Sequence, residues 1–247
     1  MMKIVTIAAA QTHEYQDDFE GALSCLVEFS RQAEIRGAKL LCFPEAFLQG
    51  YVTEETSARK IAFDIASARF QHILQLFSKT TPVIVVGFIE VSDGKLFNSA
   101  AVIEGGKMIG CYRKSFLLPK EAAFCAGEEM PVFSVGALKF GINICYDTNF
   151  PASARRVADG GATVILCPAN NMMRRERAET FRDVHNAVRG KRCQETGLWL
   201  LSADVTGEGN GRVSLGPTAL LNPDGQVIAQ LPFGKPGLLV VDVPIVV

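Results

Sequence analysis

Histidine is scarce in this chain: three in 247 residues, at positions 13, 72 and 185. His72 and His185 fall within helix-like segments and His13 lies just past the first apolar run, so a papain-like Cys/His pair finds poorly placed histidines. An excess of one charge is also missing. With 25 Lys plus Arg against 26 Asp plus Glu, no net field exists to draw nucleic acid or an anionic membrane. No apolar run approaches the roughly 18 residues of a membrane span, and the start MMKIVTIAAAQTHEYQDDF lacks an apolar core followed by a cleavage site. These absences lead us to expect a soluble, cytoplasmic protein whose partner is a small molecule or a second copy of itself. The seven cysteines (25, 42, 111, 125, 145, 167 and 193) are odd in number and scattered, with no CxxC or Cys/His spacing of metal-ligand type. They read as reduced thiols, mostly core filler.

What is present is apolar bulk, 48% of the residues, enough to bury a large core. No linker, low-complexity tract or repeat divides the sequence, so residues 1–247 are expected to form one domain. Short β-branched runs, Ile4 to Ala10, Leu40 to Phe43, Val83 to Ile89 and Val164 to Cys167, have the continuity of strands buried on both faces. In Asp17 to Arg36 the residues Phe19, Leu23, Leu26 and Ala33 recur at helical spacing behind an acidic first turn, with Gly37 as the stop. Further helices are predicted near 57–78, 150–159 and 176–196. Strand pairs surround Gly105-Gly106 and Pro223-Asp224-Gly225. The expected class is α/β with mixed sheets, layered helix, sheet, sheet, helix.

Three positions at predicted strand ends carry reactive groups, where α/β sheets collect their ligands. Glu45 follows Leu40-Leu41-Cys42-Phe43-Pro44; burial there would raise its pKa toward that of a general base, while the alternative is a surface carboxylate opening a loop. Lys114 ends the run Met108 to Arg113 and is either a cation over a developing oxyanion or a solvated edge lysine. Cys145 stands between the strand-like Phe140 to Ile144 and a helix start at Asn149-Phe150-Pro151. A nucleophile there sits at the mouth of the sheet beside free backbone N–H groups, although Cys42 and Cys167 occupy similar positions as core residues. A thiol needs an activator, because a reference pKa near 8.5 leaves only about a few per cent thiolate at neutral pH. With histidine badly placed, Glu and Lys are the candidates.

The blocks LLCFPEAFLQGY (40–51), CYRKSFLLPKEAAFCAG (111–127) and INICYDTNFPASARRVADGGATVILCPAN (142–170) resemble, in order, the three blocks of the nitrilase superfamily of carbon-nitrogen hydrolases. Segments 8–23, 191–203 and 216–230 extend the resemblance over essentially the whole chain. It implies a four-layer αββα sandwich, pairing into a homodimer or a higher homo-oligomer, and a Glu-Lys-Cys triad at Glu45, Lys114 and Cys145. The family's second glutamate falls on Glu121, with Glu128 and Glu129 as competing positions in the same loop. The wording departs from the family at Phe116, where His is common, and at Asn149-Phe150-Pro151-Ala152, positions that bear on substrate identity.

The chemistry implied is hydrolysis of a small amide. Glu45 takes the thiol proton, Cys145 attacks, Lys114 and the backbone N–H of Tyr146 hold the oxyanion, and Glu45 then activates the deacylating water. Glu121 would orient Lys114 or the substrate, a task that an uncharged amide could also fill. No metal or organic cofactor is implied. Tyr51, Phe116 and Phe124 are candidate pocket walls or ordinary core residues. Arg174, Arg175 and Arg177 could meet a substrate carboxylate or simply form a solvated helix start. A nitrile, an N-carbamoyl compound, or no substrate at all in an idle binding subunit are the alternatives.

Overall fold

The computed structural model describes residues 2–209 and 211–246. The first half runs β1 (Met2–Gln11), α1 (Phe19–Ile35), β2 (Leu40–Cys42), α2 (Glu55–Ile61), α3 (Ala68–Gln75), β3 (Val83–Ser92), β4 (Lys95–Glu104) and β5 (Lys107–Arg113). The second runs β6 (Phe133–Val135), β7 (Leu138–Ile142), α4 (Pro151–Asp159), β8 (Val164–Pro168), α5 (Arg175–Phe181), α6 (Val184–Thr196) and β9 (Trp199–Ala203). A small hairpin, β10 (Gly207–Gly209) and β11 (Arg212–Ser214), precedes β12 (Ala219–Leu221), β13 (Val227–Gln230) and β14 (Gly237–Val246).

Two six-stranded mixed sheets result, ordered β14-β1-β2-β3-β4-β5 and β13-β12-β9-β8-β7-β6. In each, three parallel strands carry an antiparallel strand on one side and two on the other. The halves therefore share one topology, which the sequence does not betray as a repeat. The layers follow from strand alternation. Ile7 and Ala9 of β1 face a core shared with Phe140, Ile142 and Leu166 of the other sheet. Ala8 and Ala10 face Ala22 and Leu26 of α1 and Phe70 of α3. Ile165 and Cys167 of β8 meet Ala154 and Val157 of α4 and Cys193 of α6 on the far side. Helix, sheet, sheet and helix are thus stacked as expected. No helix among the described residues is long and apolar enough to cross a membrane.

Helix boundaries differ from the sequence reading for local reasons. Asp18 caps α1 by accepting from the N–H of Gly21 at 2.9 Å, so the helix starts at Phe19 and not within the acidic pair. The expected 57–78 helix is two. Between them Phe63 bridges to β3, donating to the carbonyl of Ile89 and accepting from Val91 at 2.9 Å each, and Ser67 caps α3. The 176–196 helix breaks likewise around Arg182 and Asp183.

Glycine matters where β3 passes under the β2 exit. A Cβ on Gly87 would lie 2.3 Å from the carbonyl oxygen of Pro44, 2.5 Å from the N of Ala46 and 2.8 Å from the Cα of Glu45, all backbone atoms. Gly87→Ala should therefore push the Glu45 loop off the sheet and lower stability by about 1–3 kcal/mol through overpacking. Urea unfolding of the variant checks this, and a wild-type midpoint would show that the loop can yield.

Candidate active site

The parallel strands of both sheets deliver their C-terminal ends to one place, the position ligand sites favour in α/β folds. Pro44, which has no N–H to donate, ends β2 and leaves Glu45 just beyond it. Glu45 is buried, and its N–H donates across to the carbonyl of Ala169 at the end of β8, 3.3 Å away. Lys114 follows β5, and its N–H donates to the carbonyl of Asn98 at 2.8 Å. Cys145 opens a 3-10 turn, Cys145–Asn149, that follows β7.

Lys114 is the hub. Its ammonium, 1% exposed, donates to Glu45 Oε1 at 2.8 Å and to Glu121 Oε1 and Oε2 at 2.9 and 3.1 Å. Asn98 Nδ2 bridges the same carboxylates, 2.8 Å from Glu45 and 3.0 Å from Glu121. The N–H of Asn170 fixes Glu45 Oε2 at 3.0 Å, and the N–H of Leu118 fixes Glu121 Oε2 at 2.7 Å. Burial works against the charge on Lys114, but the carboxylates of Glu45 and Glu121 hold its pKa above the usual lysine range. Burial likewise opposes ionisation of Glu121, and Lys114 with the Leu118 N–H outweighs it, leaving the pKa below the ordinary glutamate range. Glu121 is the second carboxylate at Lys114; Glu128 and Glu129 are exposed.

Cys145 adopts φ 42°, and Ala46, next to Glu45, φ 50°. Both loops thus pass through the left-handed region, at about 1–3 kcal/mol each for a residue other than glycine, as often occurs at functional sites. Asp147 secures the thiol loop. It accepts from the Ile144 N–H (2.8 Å) in its own loop, and from Tyr112 Oη (2.7 Å) and the Phe116 N–H (2.8 Å) flanking Lys114. Burial pushes its carboxyl up to about 6 despite these donors. Burial, then the charge of Glu45, raises the Cys145 thiol well above its ordinary value, with Lys114 pulling the other way. The resting sulfur is therefore a thiol. Asn171 Oδ1 lies 3.8 Å from it, and Asn171 is itself held by Asp204, which is paired with Arg189 at 3.4 Å.

Cys145 and Tyr146 line a cavity of about 870 Å³. The N–H of Tyr146 belongs to the first turn of the 3-10 helix, where N–H groups have no helical acceptor. Tyr51 lies over the cluster with its ring 5.9 Å from Lys114 Nζ and 4.3 Å from Lys120 Nζ, and it lines a neighbouring cavity of about 1080 Å³. Two expected walls are elsewhere. Phe116 stacks on Phe150 at 4.0 Å, and Phe124 packs with Ala46, Ile89 and Leu96 behind the site; neither lines these cavities. Among the described residues no His, Cys, Asp or Glu group is arranged to hold a metal. Sequence reasoning missed Asn98, Asp147, Asn170, Asn171 and Asp204. The signal for Asn98 was its place, with Ser99, as a polar pair inside the apolar run Leu96 to Ile103.

A strand-end thiol beside a buried lysine and two carboxylates, on two facing sheets, marks a hydrolytic enzyme that works through a nucleophile. Residues 6–246 match the carbon-nitrogen hydrolase model, and the chain belongs to that family, within the nitrilase superfamily. It is 32% identical over 207 residues to a nitrilase of Pyrococcus abyssi, covering 81% of this chain and 74% of that one. A Thermotoga maritima glutamine-dependent NAD(+) synthetase is 37% identical over 155 residues, 59% of this chain but only 26% of the synthetase. The crystal structure of an amidase from Nesterenkonia superposes with a TM-score of 0.84 at 29% identity, over 97% of this chain and 90% of that one. Variants of that amidase have been seen with butyramide bound and with acrylamide added to the active-site cysteine.

The hydrogen-bond geometry argues against an amide at position 121. The hydrogen bonds to the Glu121 carboxylate all come from donors: Lys114, Asn98 and the Leu118 N–H. A Gln would turn its own NH2 against one of them. Glu121→Gln should cost about 3 kcal/mol at neutral pH, the low end for breaking a buried ion pair, because Glu45 still holds Lys114. A depressed folded pKa means that Glu121 contributes stability above its unfolded value, near 4.3, and that this is lost as pH falls through the lower folded value. The gap between wild type and Glu121→Gln should thus close in acid. Urea unfolding from pH 7 to pH 3 reads it, and a gap that stays constant would deny the carboxylate its charge.

Proposed function

We propose that the protein hydrolyses the carbon-nitrogen bond of a small linear amide through a thioester on Cys145, releasing ammonia or an amine. The observation that carries this is the Lys114 ammonium, 2.8 Å from Glu45 and 2.9 Å from Glu121, buried next to the loop that exposes the thiol to a cavity.

Glu45, with Oε1 held by Lys114 and Asn98, receives the thiol proton as the sulfur attacks the carbonyl carbon. Charge then develops on the carbonyl oxygen, where Lys114 and the Tyr146 N–H serve as donors. The protonated Glu45 gives its proton to the departing nitrogen and takes one from the water that cleaves the thioester. Glu121 keeps Lys114 in place and does not transfer a proton. Butyramide and acrylamide at the Nesterenkonia amidase support a short linear amide. The Pyrococcus relative named a nitrilase favours a second reading, in which a nitrile reaches the same thioester. A homodimer is part of the proposal, and light scattering after gel filtration tests it.

Cys145→Ala should lose all turnover while unfolding near the wild-type midpoint. Glu45→Gln should acylate about 100- to 10,000-fold more slowly, the usual contribution of a general base. Intact mass after rapid mixing with butyramide follows the added acyl group directly. Wild-type acylation in Glu45→Gln would remove Glu45 as the base, and ammonia release by Cys145→Ala would remove the thioester altogether.

A further inference from the structure

The cavity that exposes Cys145 is unevenly charged. Lys120, Arg174, Arg177, Arg189 and Arg212 line it, against a single carboxylate, Glu176. Arg189 is already used, paired with Asp204 and donating to the carbonyl of Pro217 at 3.0 Å. His185, also on the wall, adds no charge, since burial and Arg189 push its pKa down to about 3. The other four cations have no salt bridge among the described residues. Lys120 and Arg212 lie close enough to repel each other.

We infer that the amide cleaved at Cys145 carries a carboxylate at the far end of its acyl chain, received by Lys120, Arg174, Arg177 and Arg212. This rests on the amidase reading above and names its substrate class. Arg174, Arg175 and Arg177 are all exposed, but only Arg174 and Arg177 line the cavity. Arg174 is the N-cap residue of α5 and Arg177 stands in its first turn. Arg175 is absent from that wall and pairs with Glu208. Phe181, Val184 and Val188 line the same cavity, with Arg177 over the Phe181 ring at 5.0 Å, and suit the methylenes of a dicarboxylic acid monoamide. Cations without a carboxylate partner, Lys120 and Arg177 resting on the rings of Tyr51 and Phe181, raise the local concentration of an anion in one concavity and fix its orientation, and the guanidinium fork matches a carboxylate. The acyl part remains bonded to Cys145 after the nitrogen leaves, so a carboxylate in this cavity also holds the thioester for the water.

Matched pairs test the inference: succinamate against butyramide, and glutaramate against valeramide, each pair alike in chain length and differing in the terminal group. Ammonia release should give the acids at least a 10-fold higher kcat/KM, carried by KM and weakened by salt. In an Arg174→Gln/Arg177→Gln double variant that preference should fall at least 10-fold, whereas Arg177→Lys should retain part of it and Arg175→Gln all of it. Equal or better turnover of butyramide by the wild type would overturn the inference and leave the amidase reading standing. A preference for butyrylglycine over succinamate would overturn the placement of the acid on the acyl side. Should no amide be cleaved, the amidase reading fails, and calorimetry on Cys145→Ala decides the inference separately. Tighter binding of succinate than of butyrate supports it, and equal binding overturns it.

Discussion

Burying the Lys114 ammonium is the constraint around which the site is organised. An isolated charge in a protein interior costs several kcal/mol, and it is tolerated only with partners whose geometry is excellent and whose remaining hydrogen bonds are met. Here two carboxylates meet the ammonium, and each carboxylate needs further donors of its own. Asn98 serves both, the Leu118 N–H serves Glu121, and the Asn170 N–H serves Glu45. Those donors come from β4, from the loop after β5 and from the loop after β8, so both sheets must be in place before the lysine is satisfied. One buried cation thereby ties the register of the first sheet to that of the second.

The duplicated topology makes this possible. Parallel strands at the centre of each sheet end on the same side, and facing the sheets brings those ends together. Glu45 and Lys114 come from one sheet and Cys145, Asn170 and Asn171 from the other. Asp147 then links the thiol turn to the residues on both sides of Lys114 through a carboxylate that accepts from Tyr112, Phe116 and Ile144. The left-handed backbone at Ala46 and Cys145 is strain that these contacts can hold, because the loops are pinned at both ends.

Much of this was legible in the sequence, for reasons that can be named. Continuous apolar runs marked strands covered on both faces; Glu45, Lys114 and Cys145 stood at strand ends, where each also had an ordinary reading, and the three ordered blocks that resemble the nitrilase superfamily singled them out. Composition could not show that the 57–78 segment breaks. Phe63 looks like one more apolar residue at helical spacing, and only its pairing with β3 takes it out of the helix. Phe116 and Phe124 carried two readings, pocket wall or ordinary packing, which sequence could not separate; Phe116 stacks on Phe150 and Phe124 packs on Leu96. Besides the local N–H groups of Ile144 at Asp147 and Val205 at Asp204, Asn98, Asp147 and Asp204 act through partners 23 to 53, 31 to 35 and 15 to 33 positions away, a separation no local pattern encodes.

The state of the thiol follows from the same charges. A thiolate formed in advance would be a third anion beside Glu45 and Glu121, with one lysine to balance them. Burial and Glu45 therefore keep the proton on sulfur at rest. In the proposed reaction this ceases to be an obstacle once a carbonyl is present. As the sulfur attacks, its proton neutralises Glu45, and negative charge appears on the carbonyl oxygen. Lys114 thus exchanges one anionic neighbour for another, and the number of charges around it does not change. A site built in this way has little reason to hold a reactive thiolate between turnovers. It needs a substrate oxygen at the lysine to make deprotonation favourable, which confines the chemistry to molecules that fit.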